Sequence, residues 1–401
     1  MSEIGSYNAM FPYCVEVCAL TQYRRKGANP GGWGGHATLF INGAELESGA
    51  AYPRLRLAAD GSGLAHPDSG VGISVNQIFT NVNWVGIPGR DEFFHGGLAP
   101  DQSLDETFYE ASVRRAAAAN WFAGIEIRPA LMRQRPAAVS HEEWVAGHLI
   151  ATDFALTYAR TAYTARLPLT RGAIGKVIGY LNTVNANARE RGYTWNPYTN
   201  NCSHVLHNAL ATTGVWDPKQ VRGPGAINVA RDMASVAKVL ALGRMSDFSF
   251  PANTFVRAYE AGNRRPIDDV HAAFRDHDVR RTLNEGWLST GPGALVATYP
   301  MHPEARNRLF LAGRDPFLAS LPFAWDKKTE FARLTQTPPS ELTELGRNLE
   351  RYRDRYAAIL GAERPPDGSP SFRAFAERFF GYIRRALDET NTRIAAYRAG
   401  S

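Results

Sequence analysis

The stretch Tyr193-Thr-Trp-Asn-Pro-Tyr198-Thr-Asn200-Asn201-Cys202-Ser203-His204-Val-Leu206-His207-Asn-Ala-Leu210 passes from turn-forming Asn, Pro and Thr to apolar helical spacing at the cysteine itself. An Asn at the N-cap accepts a hydrogen bond from a first-turn amide. The other first-turn amides and the positive end of the helix dipole favour a thiolate on the first residue inside. The same amides can hold the oxyanion of an attacked carbonyl, so Asn201 and Cys202 open a segment that offers both nucleophile and oxyanion site. Cys202 also lies on one helical stripe with Leu206, Ala209, Leu210 and Thr213, the pattern of a small buried hydrophobe, and a partner base decides between the two readings. His204 and His207 are poorly placed for that role. At about 100° per residue they fall roughly 200° and 140° round the helix from Cys202.

The best-placed base is His36, in Gly31-Gly-Trp33-Gly-Gly-His36-Ala-Thr38-Leu-Phe40-Ile-Asn42-Gly43-Ala-Glu45-Leu-Glu47-Ser48-Gly49. Asn42-Gly43 is a strong signal for a two-residue hairpin turn. Pairing outward from that turn sets Ile41 against Ala44, Leu39 against Leu46 and His36 against Gly49. His36, Thr38, Glu45 and Glu47 then share a face, with the Glu47 carboxylate diagonal to the imidazole and within reach as its orienter. A bulge or a different turn exchanges Glu47 for Ser48. The glycines before His36 allow a substrate backbone to approach closely, and Trp33 can form a wall or lid.

A histidine opening a strand, followed far downstream by Tyr198, Asn201, Cys202, Leu206 and Leu210 at a helix start, resembles the circularly permuted papain-like fold of the NlpC-like peptidase superfamily. Its permuted members include lecithin:retinol acyltransferase-like and PPPDE-type proteins. The order His36 before Cys202 matches only the permuted arrangement, and the likeness covers about residues 10 to 215. It implies Cys202 as nucleophile, His36 as general base, a polar third member at Glu47 or Ser48, and Tyr198 as an aromatic lining the site. The separation of His36 from Cys202 is long for that group, and its usual His or Asn third member is not evident.

Three cysteines cannot build a disulfide framework, and Cys14 and Cys18 in Cys-Val-Glu-Val-Cys read as strand residues on one face. Glu3 and Glu16 and the lack of a basic region before a long apolar core argue against a signal peptide, so the expected location is the cytoplasm, or export without a cleavable signal. The most apolar run, Ala226 to Leu242, is broken by Arg231, Asp232 and Lys238 and makes no membrane span. The net charge of +6 comes from scattered residues, 39 Arg and 6 Lys, without a nucleic-acid motif, so no specific nucleic-acid partner is expected. His141 and His148 are spaced seven apart, not the four a zinc-peptidase helix needs. Asp91, Glu92 and His95, and likewise His271 with Asp276, His277 and Asp278, need further partners to hold a metal. No metal or cofactor is expected.

Strands are expected at Met10–Tyr23, Gly124–Arg128 and Phe154–Leu167, short strands or loops at Val71–Val75 and Val82–Ile87, and helices at Asp105–Phe122 and Arg171–Arg191. This is an α+β, mostly antiparallel region over 1–225. Beyond Val221-Arg-Gly-Pro-Gly225 a mainly helical region, 226–401, is expected to end in an αα-hairpin. Its stripes are Leu342, Leu345, Leu349, Tyr352, Tyr356 and Ile359, then Phe372, Phe375, Phe379, Ile383, Leu387, Ile394 and Tyr397. Ser369-Pro370 supplies a cap and first-turn pair. These helices can cover the catalytic layer or recognise a protein partner. The expected activity is a cysteine-dependent hydrolase cleaving an amide, isopeptide or thioester/ester bond. Its substrate would be a peptide, a protein conjugate, a cell-wall peptide or a lipid acyl group. The alternatives are an acyltransferase using the same Cys/His pair and an inactive papain-like binding scaffold.

Overall fold

The computed structural model describes residues 3–20, 36–99, 101–195, 200–213, 292–293, 295–299, 302, 343–361, 363 and 370–400. In chain order these form α1 (Glu3–Met10), β1 (Cys14–Leu20), β2 (His36–Asn42), β3 (Ala44–Leu46), β4 (Leu55–Leu57), β5 (Val71–Ser74) and β6 (Val85–Pro88). Then come α2 (Arg90–His95), α3 (Glu106–Ala118), α4 (Pro129–Met132), α5 (His141–Leu149), β7 (Ala162–Pro168), α6 (Arg171–Arg191) and α7 (Cys202–Ala211). The last elements are β8 (Leu295–Tyr299), α8 (Leu345–Gly361) and α9 (Pro370–Gly400). The fold is α+β around an antiparallel six-stranded sheet of order β6-β5-β2-β1-β7-β8.

β2 lies inside this sheet, paired along one edge with β1 from Cys14–Asn42 to Leu20–His36, and along the other with β5 through Leu39–Ile73, Phe40–Gly72 and Ile41–Val71. With both edges taken, no position remains beside β2 for the segment that follows it. The hairpin expected across Asn42-Gly43 is therefore not formed, and β3 pairs instead with β4 in a separate two-stranded sheet. Of the two turn residues only Gly43 has positive φ, at 91°, so the two-residue turn that needs positive φ at both positions is ruled out. A Cβ on Gly43 would come within 2.5 Å of the Tyr13 ring, so glycine is needed here both for backbone conformation and for space. Asn42 anchors loops through its side chain: Nδ2 donates to the carbonyls of Pro12 and Leu64, and Oδ1 accepts from the Ser69 hydroxyl.

Cys14 and Cys18 are buried on β1, at positions of the same parity. Strand structure begins only at Cys14, because Glu3–Met10 is helical. Gly124–Arg128 forms no strand and contributes a single bridge from Ile127 to Phe79. Of Phe154–Leu167 only the second half is extended, Leu156–Tyr158 being a 3-10 turn. α3 starts on the Asp105 cap, α5 on a Ser140/Glu143 capping box and α6 on the Thr170 cap. α6 is fastened inward by Asn185, whose Oδ1 accepts from the amides of Asn83 and Trp84 and whose Nδ2 donates to the carbonyls of Pro53 and Trp84.

The sheet crosses the expected division at residue 225, since β8 pairs with β7 from Arg166–Leu295 to Ala162–Tyr299. α8 and α9 form the αα-hairpin, with Arg398 on Glu350 tying its two helices and Arg384 holding Glu363 just beyond the end of α8. Leu345, Leu349 and Ile394 pack with Tyr7, Phe11 and Leu295, while Tyr352, Tyr356, Ala376, Phe380 and Ile383 join the main core. Leu342 and Ser369 lie outside the described residues, as do the side chains of Ile359, Phe372, Phe375 and Phe379. His271, Asp276, His277 and Asp278 also lie outside them. Among the described residues no helix is long and apolar enough to cross a membrane.

The sheet buries a charged cluster. Glu16 on β1 accepts from Arg90 Nη1 at 2.6 Å and from Arg166 Nε at 3.2 Å, and Arg90 also donates to the Tyr299 hydroxyl. The Arg90 guanidinium lies 4.5 Å from the Phe94 ring centre, and that of Arg166 4.5 Å from the Tyr7 ring centre. Burial alone would raise the Glu16 carboxyl, but the two guanidinium charges prevail and hold it at about 2.

Candidate active site

Cys202 is the first residue of α7, and the Asn201 side chain caps the helix by accepting from the His204 amide at 3.2 Å, as the sequence predicts. His204 turns its ring to the same cap oxygen, Nδ1 to Oδ1 at 3.0 Å. α7 packs against β2 and α6, burying Val205, Leu206, Ala209 and Leu210. Cys202 itself remains partly exposed, whereas Cys14 and Cys18 are buried.

His36 opens β2, with its side chain 13 % exposed. It is in hydrogen-bonding and charge contact with Cys202, so the two residues of the sequence-derived pair meet. His36 Nε2 lies 2.7 Å from Ser74 Oγ and 3.3 Å from Asp153 Oδ1. Burial pushes the imidazole toward neutrality. The charge of Cys202, the hydrogen bonds that the imidazolium donates to Asp153 and Cys202 and the charge of Asp153 outweigh burial and raise His36 to about 9.

Asp153 is 1 % exposed, yet its carboxyl is held below the usual carboxylate range. Burial opposes this. The hydrogen bond and charge of His36, followed by hydrogen bonds from Ser74 and Thr152, prevail. Ser74 donates to Oδ1 at 2.6 Å and Asn76 to Oδ2 at 2.7 Å, with the Thr152 hydroxyl 2.8 Å from Oδ2. The loop that presents Asp153 is bent by two buried alanines with positive φ, Ala151 at 73° and Ala155 at 52°. Left-handed backbone costs an L-residue roughly 1–2 kcal/mol. Here it is held by amides that close back on Leu149 and Phe154: Asp153 N to Leu149 O at 2.8 Å and Ala151 N to Phe154 O at 2.7 Å.

No known family, curated protein or solved structure matches the chain. The geometry alone carries the reading of the site.

Glu47 is not part of this arrangement. Its carboxylate pairs with Arg54 at 3.1 Å and its amide donates to the Arg54 carbonyl, because the segment after Gly43 leaves β2. Ser48 is exposed in the turn beyond β3. Trp33 and Tyr198 lie outside the described residues. The strand next to β2 in space is β5, and it supplies Ser74; the carboxylate comes from the α5–β7 connection, more than a hundred residues downstream of His36, with no motif to mark it.

Tyr193 is a further residue that the motif reading passed over. Its side chain is 8 % exposed, its hydroxyl has no hydrogen-bond partner among the described residues, and it lies within charge interaction of Cys202. Burial, with the Cys202 charge second, raises its phenol well above the ordinary tyrosine range, so it is a neutral O–H donor. His141 and His148 are engaged separately, with the carbonyls of Ile125 and Trp144.

Proposed function

We propose that the protein is a cysteine-dependent hydrolase that cleaves an amide, isopeptide or thioester/ester bond through an acyl-enzyme on Cys202. The observation that carries this reading is the partly buried His36, in contact with both Cys202 and the Asp153–Ser74 pair. A histidine so placed exchanges a proton with the sulfur while a carboxylate stabilises its charged form. The order of His36 before Cys202, and a cysteine helix packed on an antiparallel sheet, support a permuted papain-like core.

In the proposed reaction the Cys202 thiolate attacks the carbonyl carbon, forming a C–S bond and moving the carbonyl π electrons onto oxygen. In this reading the amides at the start of α7 and the Tyr193 hydroxyl donate to that developing charge. The oxyanion collapses, the bond to the leaving group breaks, and the His36 imidazolium gives its proton to the departing nitrogen, oxygen or sulfur. Neutral His36 then takes a proton from water as its oxygen attacks the acyl carbon. The C–S bond breaks, releasing the acid and restoring the thiolate–imidazolium pair.

Brief iodoacetamide labelling at pH 6 to 7 followed by peptide mapping tests the reading. Cys202 should label faster than Cys14, which burial pushes up to about 12, and Cys18, which burial also raises. Labelling of Cys202 no faster than an ordinary thiol refutes it. Acyl-cysteine probes offered with water or an added amine then separate hydrolysis from acyl transfer.

A further inference from the structure

The chemistry proposed above leaves open which imidazole nitrogen serves Cys202, and a hydroxyl deep in the site answers that question. Ser74 is the last residue of β5 and is 1 % exposed. β5 pairs with β2 through Phe40–Gly72 and Leu39–Ile73, so Ser74 falls at the His36 end of the pair, at a position of the same parity as Gly72. Its Oγ stands between two groups, 2.6 Å from Asp153 Oδ1 and 2.7 Å from His36 Nε2, while the direct distance from Nε2 to Oδ1 is longer, 3.3 Å. The serine is therefore the nearer partner of the imidazole.

A serine hydroxyl has one proton to give. An ionised carboxylate accepts only, and Asp153 Oδ2 is already engaged by Asn76 and Thr152. The Ser74 proton therefore goes to Oδ1, since the opposite orientation would set a serine lone pair against carboxylate oxygen at 2.6 Å. With its proton committed, Oγ can only accept from His36, which requires a hydrogen on Nε2. When the ring is neutral, its basic nitrogen must then be Nδ1.

We propose that Ser74 is a positioning residue for the Cys202 reaction: by handing its one proton to Asp153 it fixes His36 in the Nε2–H tautomer and presents Nδ1 to the sulfur. Asp153 acts on the imidazole both directly, from 3.3 Å, and through this hydroxyl, and Ser74 itself touches no reacting atom. The inference rests on the Cys202–His36 reading but makes a separate claim about how the pair is oriented.

Two measurements test it. In the Cys202→Ala protein, which removes the thiolate charge from His36, the imidazole 15N shifts at a pH above the histidine's titration should report a single Nε2–H tautomer. In Cys202→Ala with Ser74→Ala they should report a mixture. A neutral His36 in the Nδ1–H form in Cys202→Ala overturns the proposal whatever the enzyme does. With Cys202 present, Ser74→Ala should lower the iodoacetamide rate of Cys202 at pH 6 about tenfold and move its pH profile toward that of a free thiol, and Ser74→Thr should restore it in part. An unchanged profile in folded Ser74→Ala overturns the proposal while leaving the hydrolase reading intact. If the unsubstituted protein itself shows no accelerated labelling, the hydrolase reading fails instead.

Discussion

Replacing Asp153 by Asn keeps the shape of the side chain and removes the charge that His36 senses. The imidazole stands at about 9 against an ordinary value of 6.5. At about 1.4 kcal/mol per unit this is on the order of 3 kcal/mol of net preference for the imidazolium. Cys202 and Asp153 supply it together, against the opposing effect of burial. Loss of the Asp153 charge and hydrogen bond should lower the thiolate–imidazolium population by roughly 10 to 100-fold, the range found when outer groups that orient a reactive one are removed. The assay is the iodoacetamide rate of Cys202 between pH 5 and 10, followed by peptide mass spectrometry. At pH 6 the Asp153→Asn protein should react roughly 10 to 100 times more slowly, and its profile should shift toward a free thiol near 8.5. The introduced carboxamide also sets an NH2 against an existing donor of Asn76 or Ser74, a cost of about 1–3 kcal/mol, so rates are compared where denaturation curves show both proteins folded. A folded Asp153→Asn protein with an unchanged rate and pH profile would refute the role assigned to the carboxylate.

Cys202→Ala, His36→Ala and the double variant should be similarly inactive while staying folded, because a nucleophile and base acting as one unit give non-additive losses; turnover by folded Cys202→Ala removes the mechanism. Glu47→Ala should leave the Cys202 labelling profile unchanged and alter stability by no more than about 1 kcal/mol, as for a partly exposed ion pair, and a tenfold loss of reactivity would return Glu47 to the site. Glu16→Ala should destabilise by about 3–5 kcal/mol in urea denaturation, since it leaves Arg90 and Arg166 buried without their counter-charge. Because the Glu16 carboxyl is depressed on folding, its contribution is present above about 4.5 and disappears as pH falls through about 2; an acid-unfolding midpoint unmoved by Glu16→Gln contradicts this.

The parts of the site that local chemistry determines are legible in the sequence. The Asn201 cap and the start of α7 at Cys202 follow from a turn run meeting an apolar helical pattern, and α6 matches the expected Arg171–Arg191 span. His36 was reachable because it opens an apolar strand behind a glycine run. The orienting group was not, because the neighbour of β2 is decided by which strands cover its edges, and no local pattern records that β1 and β5 do so. Asn42-Gly43 marks a real change of direction, but a central strand turns the chain away where an edge strand would let it fold back. Asp153 sits between Thr152 and Phe154 in a loop whose bend relies on alanines, not the glycines that would have signalled it.

The pairing of β7 with β8 orders events during synthesis. His36, Ser74, Asp153 and Cys202 all precede residue 213, whereas the outer neighbour of β7 begins at Leu295. At roughly 5–20 residues per second, a nascent chain carries the complete set of reactive groups for several seconds before that strand exists. During this interval the Ala162–Pro168 edge has unpaired amides and carbonyls open to any extended segment nearby, including another nascent chain on the same message.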